Sequence, residues 1–205
     1  MKIVAFIDAS LYARSVIDHT AWLARNRPAS IELVQIVSPN ELMAEQVTTV
    51  GPSASIALDH ERVEAKVGEL ERAGRCQLDA ARNRLAAAGL PDVTARLIHG
   101  NIAASMLEVT RSASIAVMGK RGENADLARL SLGSQVERLV RSAPIPVLAV
   151  SRSFRPIERM LLAMNAGDTL AVDALAAGAL PPADLQLLHV GDASGTIKAT
   201  LQQAA

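Results

Sequence analysis

The chain has 205 residues, of which half are hydrophobic and only 2% aromatic, a composition typical of a folded protein with an aliphatic core. Its 21 basic and 21 acidic residues cancel, so there is no excess of positive charge to neutralise a nucleic-acid backbone. No apolar run approaches the roughly 20 residues that a membrane-spanning helix needs, and the first hydrophobic run reaches Asp8 too early for a secretory signal. We therefore expect a cytoplasmic protein that has neither nucleic acid nor a membrane as partner.

Cysteine and histidine give no indication of redox or metal chemistry. Cys76 is the single cysteine, and its charged, helical surroundings predict an ordinary structural thiol in a reducing compartment. His19, His60 and His189 are scattered along the chain and predict no metal site. His99 ends a predicted strand without an obvious acid or nucleophile as partner, so we interpret it as a turn residue and not as a catalytic one.

The first predicted elements alternate between strand and helix. A strand at Ile3–Ile7 ends in Asp8-Ala9-Ser10 and is followed by a helix whose apolar face spans residues 16–23. A second strand at Ile31–Val37 leads into residues 41–57. No period is clear in that stretch, and we expect a loop there with a short helix.

A long amphipathic helix is predicted next, because apolar residues recur at helical spacing from Val63 to Leu85 among charged ones. Glycine weakens a helix, so we expect this one to be kinked or joined near Gly74. Gly89 and Pro91 should end it.

Three further strands follow, separated by helices at Ile102–Arg111 and after Ser134. Alternation of this kind is typical of a parallel sheet covered by helices. It predicts one complete α/β domain at residues 1–153. The three strands are Val93–Ile98, Ile115–Met118 and Val147–Val150.

After residue 153 the chain repeats its own opening. Met160–Met164 followed by Asn165 parallels the first strand followed by Asp8, and Leu185–Val190 parallels the second strand. Residues 154–205 therefore predict the opening part of a second copy of the domain. Asn165 replaces the carboxylate, so we expect no nucleotide site in that copy.

The pattern that indicates binding chemistry is Gly119, Gly122, a spacer of ten residues (Glu123–Leu132) and then Gly133-Ser134 before a helix. Glycines after a strand let the backbone approach a ligand, and the first amides of a helix attract anions. The sequence is not a Walker A loop, because no Gly-Lys-Ser/Thr follows a four-residue spacer. The alternative is purely structural: the glycines end a strand, and Ser134 caps its helix.

Four segments in this order resemble the universal stress protein family. The resemblance covers residues 1–153 in full and residues 155–190 for the opening part again, and tandem members are common in that family. The segments are Asp8, Met118–Gly122, Leu132-Gly133-Ser134 and Pro144–Val150.

The resemblance implies a doubly wound five-stranded parallel sheet of order 3-2-1-4-5, an adenine nucleotide such as ATP with Mg across the carboxyl ends of its strands, and homodimerisation through the last strand. The family spacer has nine residues where this chain has ten. The implied roles are as follows: Asp8 contacts the adenosine, Ile36 packs on the adenine, Met118 approaches the base or ribose, and Gly119, Gly122, Gly133 and Ser134 hold the phosphates.

Each of these residues also has a structural alternative. Asp8 would be a carboxylate that interacts with a helix dipole, and Ile36 and Met118 would be core residues. Lys120 and Arg121 would add charge to the phosphate site or simply be solvated.

Three functions remain open at this point. The first is a nucleotide-binding stress-response regulator that acts through conformation or dimerisation. The second is an interaction module of the same fold without a nucleotide. An enzyme is the third, and we do not expect one, because no general base stands beside the loop; slow hydrolysis of bound Mg-ATP would still be compatible with the sequence.

Overall fold

The computed structural model describes residues 1–25, 27–39, 60–122, 133–164 and 170–189. The chain divides into two compact units, Met1–Phe154 and Arg155–Ala205. The first unit contains five described strands: β1 (Lys2–Phe6), β2 (Ser30–Val37), β3 (Val93–His99), β4 (Ile115–Gly119) and β5 (Val147–Val150). Its described helices are α1 (Ala13–Ala24), α2 (His60–Ala87), α3 (Ile102–Thr110) and α4 (Ser134–Ser142).

The five strands form one sheet in the order β3-β2-β1-β4-β5, and every pair is parallel. This confirms the α/β fold and strand order expected from the sequence. The chain winds outward from β1 to β3 and then returns to place β4 on the other side of β1. The carboxyl ends of β1 and β4 therefore form the point at which the winding reverses, where open parallel sheets bind ligands.

The core is aliphatic and lies on both faces of the sheet, because neighbouring residues of a strand point to opposite sides. Ile3 and Ala5 in β1 are fully buried on the face where α1 and α2 pack. The other face is covered by α3 and α4. Its core contains Val4, Phe6, Val34, Met106, Val109, Ala116, Met118, Val136 and Leu139.

A buried charge interrupts this core at the amino-terminal edge of the sheet. Glu32 in β2 is 8% exposed, and its two carboxylate oxygens bind Lys2 Nζ and Arg96 from the flanking strands, each at 2.8 Å. A buried carboxylate needs such partners, because its desolvation would otherwise be costly. The three charges cross-link β3, β2 and β1 at the edge opposite to the candidate site.

Helix α2 runs without a break from His60 to Ala87, so the expected join near Gly74 is wrong. Gly74 is buried, and a Cβ atom on it would lie 2.8 Å from Leu97 Cδ1 and 3.1 Å from Gln35 Cδ. The glycine therefore lets the helix approach β2 and β3 closely. The predicted stop signal is confirmed: Gly89 has a φ of 83°, the left-handed conformation of a helix C-terminus.

The second unit has the order strand, helix, strand: β6 (Arg159–Met164), α5 (Leu170–Ala176) and β7 (Asp184–His189). β6 and β7 are parallel and pair from Arg159↔Asp184 to Met164↔His189. The order is that of β1-α1-β2, but it does not by itself establish a second copy of the domain. Asn165 and Val190, on which the predicted repeat also depends, lie outside the described residues.

Glycine substitutions in α2 test the close packing. Gly74→Val should lower the free energy of unfolding by about 1–3 kcal/mol, because the added side chain overpacks the contact with Leu97 and Gln35. Gly68→Val is the matched control: no atom lies within 4 Å of its ideal Cβ position, so a change below about 0.5 kcal/mol is expected. Urea unfolding measures both, and equal effects would contradict the packing role of Gly74.

Candidate functional site

The predicted site residues meet at the carboxyl ends of β1, β2 and β4. Asp8 lies two residues beyond the end of β1, and Gly119 is the last residue of β4, the neighbouring strand. Ile36 lies in β2 two residues beyond Val34, the pairing partner of Phe6. Ile36 is therefore level with Asp8 on the adjacent strand.

Asp8 opens a tight turn and does not belong to the first turn of α1, which begins at Ala13. Its Oδ1 accepts hydrogen bonds from Ser10 N at 3.1 Å and from Ser10 Oγ at 2.5 Å. Ser10 Oγ in turn accepts a hydrogen bond from Tyr12 N at 3.2 Å. These bonds fix the carboxylate by a local side-chain turn, so the helix-dipole alternative does not describe its contacts.

Burial raises the pKa of Asp8 above its ordinary value of 3.8, although the hydrogen bonds from Ser10 act in the opposite direction. Partial burial therefore makes the charged form of this carboxylate less favourable than it would be in water. A titratable group of this kind in a cleft is typical of a functional site.

Gly119 is fixed by an aromatic contact that the sequence did not indicate. A Cβ atom on Gly119 would lie 2.6 Å from Tyr12 Cβ and 3.0 Å from Tyr12 Cγ. Any side chain at this position would therefore displace the tyrosine, which is only 4% exposed. Close packing with Tyr12 is sufficient to explain this glycine, whether or not it also touches a ligand.

Gly122 faces Asp8. A Cβ atom on it would lie 3.7 Å from Asp8 Oδ2, which is ordinary van der Waals contact. The glycine is thus not required by packing, in contrast to Gly119. A side chain here would occupy the space between the loop and the carboxylate.

Gly133 closes the glycine loop. Its N–H donates to the Lys120 carbonyl at 3.0 Å, and its ideal Cβ position lies 3.3 Å from Arg121 Cα. The residues on either side of the ten-residue spacer are therefore in contact, and the spacer itself lies outside the described residues. Gly133 thus closes the loop through its amide, and its expected contact with the phosphates stays a prediction.

Ser134 is the first residue of α4, and the N-cap position belongs to Gly133, which makes no side-chain capping bond. The expected alternative, that Ser134 caps this helix, is therefore wrong. The exposed Ser134 side chain stands where the first amides of the helix attract anions.

Met118 and Ile36 belong to the hydrophobic core on the α3 and α4 face. Met118 is 4% exposed, and Ile36 is partly buried against the same cluster. A place in the hydrophobic core, the structural alternative given above, is sufficient to explain Met118. Ile36 keeps part of its surface accessible, as a contact with a flat base requires.

The structure also corrects one expectation about a residue outside the loop. His99 does have an acid partner, because its Nε2 lies 2.8 Å from Glu71 Oε1 of α2. Arg75 and His99 together hold the pKa of Glu71 below its ordinary value. Cys76 is a free thiol exposed on α2.

In the part of the chain that the structure describes, no group of three or more histidine, cysteine, aspartate or glutamate side chains is placed to hold a metal ion. Within the same residues, no helix combines the length and the apolar character needed to cross a membrane.

Comparison with known proteins agrees with the sequence resemblance. The model of the universal stress protein family matches residues 1–151. A universal stress protein of Synechocystis is 27% identical over 175 residues, which are 80% of this chain and 60% of that protein. One from Thermus aquaticus is 38% identical over 89 residues, covering 42% of this chain and 61% of its own length. The chain thus spans about three fifths of these curated relatives.

A solved structure gives the same fold. The universal stress protein UspA from Lactobacillus plantarum matches 73% of this chain and 97% of its own, with a TM-score of 0.60 at 14% sequence identity. At that identity the likeness concerns the fold alone.

The raised pKa of Asp8 predicts a pH-dependent effect of Asp8→Asn. The folded protein binds the Asp8 proton more tightly than the unfolded chain does, so this contribution to stability is present at low pH and is lost as pH rises through the raised pKa. The asparagine keeps an oxygen for Ser10 and carries no charge. The variant should therefore gain stability relative to the wild type as pH rises from about 4, and the gain should level off above the raised pKa.

Urea unfolding at several pH values between 3.5 and 7 measures this difference. The same substitution at Asp92, which is exposed, is the control. A difference between Asp8→Asn and the wild type that does not change with pH would contradict the burial effect.

Proposed function

Because the chain belongs to the universal stress protein family, we propose that it binds an adenine nucleotide, ATP in particular, at the carboxyl ends of β1 and β4. The observation that carries this proposal is the approach of Gly122 to Asp8, where an ideal Cβ lies 3.7 Å from the carboxylate oxygen. A side chain would fill this space, and packing does not require a glycine there. Close access of a ligand to the backbone explains it.

The phosphates would lie between the glycine loop and the start of α4. The hydrogen bond from Gly133 N to Lys120 O holds the loop against the helix, and an ideal Cβ on Gly133 lies 3.6 Å from Gly122 N, so α4 begins beside Gly122. Helix amides and their dipole favour an anion there. Mg would accompany the phosphates and balance part of their charge.

The adenosine would lie toward β2. Asp8 Oδ1 is occupied by Ser10, whereas Oδ2 faces Gly122, and a hydroxyl group of a ribose would donate to such an oxygen. The accessible part of Ile36, level with Asp8, would pack on the flat base. Met118 would support this contact from the core.

We propose a regulatory and not a catalytic role for this binding. Asp8, the carboxylate of the site, is held in a hydrogen-bonded turn by Ser10, a position suited to binding. Occupancy would act through conformation or through a homodimer formed by β5. This strand stands at the edge of the sheet and is half-buried from Val147 to Ala149. Strand edges offer unpaired backbone groups to a second chain.

We further propose that the second unit repeats the opening part of the first domain without a nucleotide site, in a cytoplasmic protein. The parallel pairing of β6 with β7 and the helix between them support the copy. The replacement of Asp8 by Asn165 supports the loss of binding.

Titration calorimetry with Mg-ATP tests the site through Gly122→Val. The valine should raise the Kd at least about 10-fold, because it fills the space between the loop and Asp8. Gly68→Val is the matched control and should bind as the wild type does. Circular dichroism verifies that both variants fold, and mass spectrometry of the unfolded wild type excludes nucleotide retained from purification.

A wild type that is free of nucleotide and releases no heat with Mg-ATP would contradict the proposal. An interaction module of the same fold would then replace it. Binding that Gly122→Val retains in full would place the nucleotide elsewhere.

A further inference from the structure

Ser10 holds the turn that carries Asp8 through both its backbone and its hydroxyl group. Ser10 N donates to Asp8 Oδ1 at 3.1 Å, and Ser10 Oγ lies 2.5 Å from the same oxygen. Ser10 Oγ also accepts a hydrogen bond from Tyr12 N at 3.2 Å, and the Ser10 carbonyl accepts one from Ala13 N at 3.2 Å. Ser10 therefore joins the carboxylate to the start of α1.

These partners determine where the hydroxyl proton of Ser10 points. A hydroxyl group has a single proton to donate and lone pairs that accept. The Tyr12 N–H can only donate, so Ser10 Oγ is the acceptor of that bond and its proton is directed to Asp8 Oδ1. Oδ1 thus receives two hydrogen bonds from Ser10. Such bonds favour the charged form of a carboxylate, and those from Ser10 lower the pKa of Asp8 against the effect of burial.

The two carboxylate oxygens of Asp8 consequently differ. The bonds at Oδ1 fix the orientation of the group, and Oδ2 then lies on the side of Gly122, 3.7 Å from the ideal Cβ position of that glycine. In the ionised form Oδ2 is an acceptor. A proton taken up by Asp8 would go to Oδ2, because Oδ1 already accepts two donors, and the acceptor on the Gly122 side would be lost.

We propose that Ser10 is a positioning residue of the nucleotide site, whose hydroxyl presents Asp8 Oδ2 to the ligand as an acceptor and makes the site prefer ribonucleotides over nucleotides without ribose hydroxyls. This inference rests on the proposed function, in which a ribose hydroxyl donates to Oδ2. Ser10 acts through Asp8 and needs no contact with the ligand. A ligand without the hydroxyl leaves a partly buried carboxylate oxygen without its donor, which lowers affinity.

The test compares Mg-ATP with Mg-dideoxy-ATP, which lacks both ribose hydroxyls, by titration calorimetry of the full chain at neutral pH. The two ligands share the base and the phosphates, so they differ only at the sugar. The wild type should bind dideoxy-ATP about 10-fold more weakly than ATP. Ser10→Ala should raise the Kd for ATP at least about 5-fold and the Kd for dideoxy-ATP less than about 2-fold.

Two further variants separate the hydroxyl from the rest of the side chain and from general stability. Ser10→Thr keeps the hydroxyl and should bind both ligands within about 2-fold of the wild type. Ser112→Ala is the matched control, because this hydroxyl binds Lys2 Nζ at 3.0 Å and the Val109 carbonyl at 3.3 Å at the opposite edge of the sheet. It should leave both Kd values unchanged. Thermal unfolding verifies that each variant is folded.

A second measurement needs no ligand. NMR titration of the Asp8 carboxyl carbon should show a higher pKa in Ser10→Ala than in the wild type, because the variant lacks the hydroxyl bond that lowers this pKa. Ser10→Thr and Ser112→Ala should leave it unchanged. A role of Ser10 in packing alone would not move the pKa in this pattern.

The inference is overturned if the wild type binds ATP and dideoxy-ATP equally, or if Ser10→Ala keeps the wild-type ratio of the two Kd values. A Ser10→Thr variant that behaves like the alanine, or an Asp8 pKa that Ser10→Ala leaves unchanged, would also overturn it. Each of these results leaves nucleotide binding standing. A wild type that binds no Mg-ATP would instead remove the proposed function together with this inference.

Discussion

The packing of the Tyr12 ring against the backbone of Gly119 joins three parts of the chain at one edge of the sheet. Tyr12 Cβ and Cγ pack against Gly119 at the end of β4, and the Arg152 guanidinium from the segment after β5 lies 5.6 Å from the centroid of the ring. The Tyr12 N–H donates a hydrogen bond to Ser10 Oγ, and this hydroxyl donates to the Asp8 carboxylate. Tyr12 is the single tyrosine of the chain. It is buried where the glycine loop, the turn after β1 and strand β4 must keep their relative positions. The geometry of the candidate site depends on it.

The candidate site combines a carboxylate that is costly to bury with an open space opposite it. Asp8 is desolvated enough to have a raised pKa, and the backbone opposite it carries no side chain. Groups that cost stability persist where they serve binding. The family membership and these two features support the same function, since a nucleotide would offer hydroxyl groups to the carboxylate and phosphates to the loop and helix.

The strands and the glycine loop were predictable because local patterns determine them. Hydrophobic runs marked each strand, and the resemblance supplied the order. The contacts of Gly74, Tyr12 and His99 were not predictable, because each joins residues distant in sequence: Gly74 meets Leu97 and Gln35, and His99 meets Glu71. The hydrogen bond of Gly133 N to the Lys120 carbonyl was not predictable for another reason. Spacing shows that an amide is near a loop, but not which acceptor it already has.

The hydrogen bond between Gly133 and Lys120 also bears on how this loop can vary and be engineered. The residues on either side of the spacer are held together by contacts between backbone atoms. Loop-closure entropy rises only slowly with length, by about 0.6 kcal/mol for each doubling. A spacer of ten residues can therefore replace one of nine without moving its anchors. The same property makes the stretch between Gly122 and Gly133 a natural insertion point for a fluorescent reporter domain.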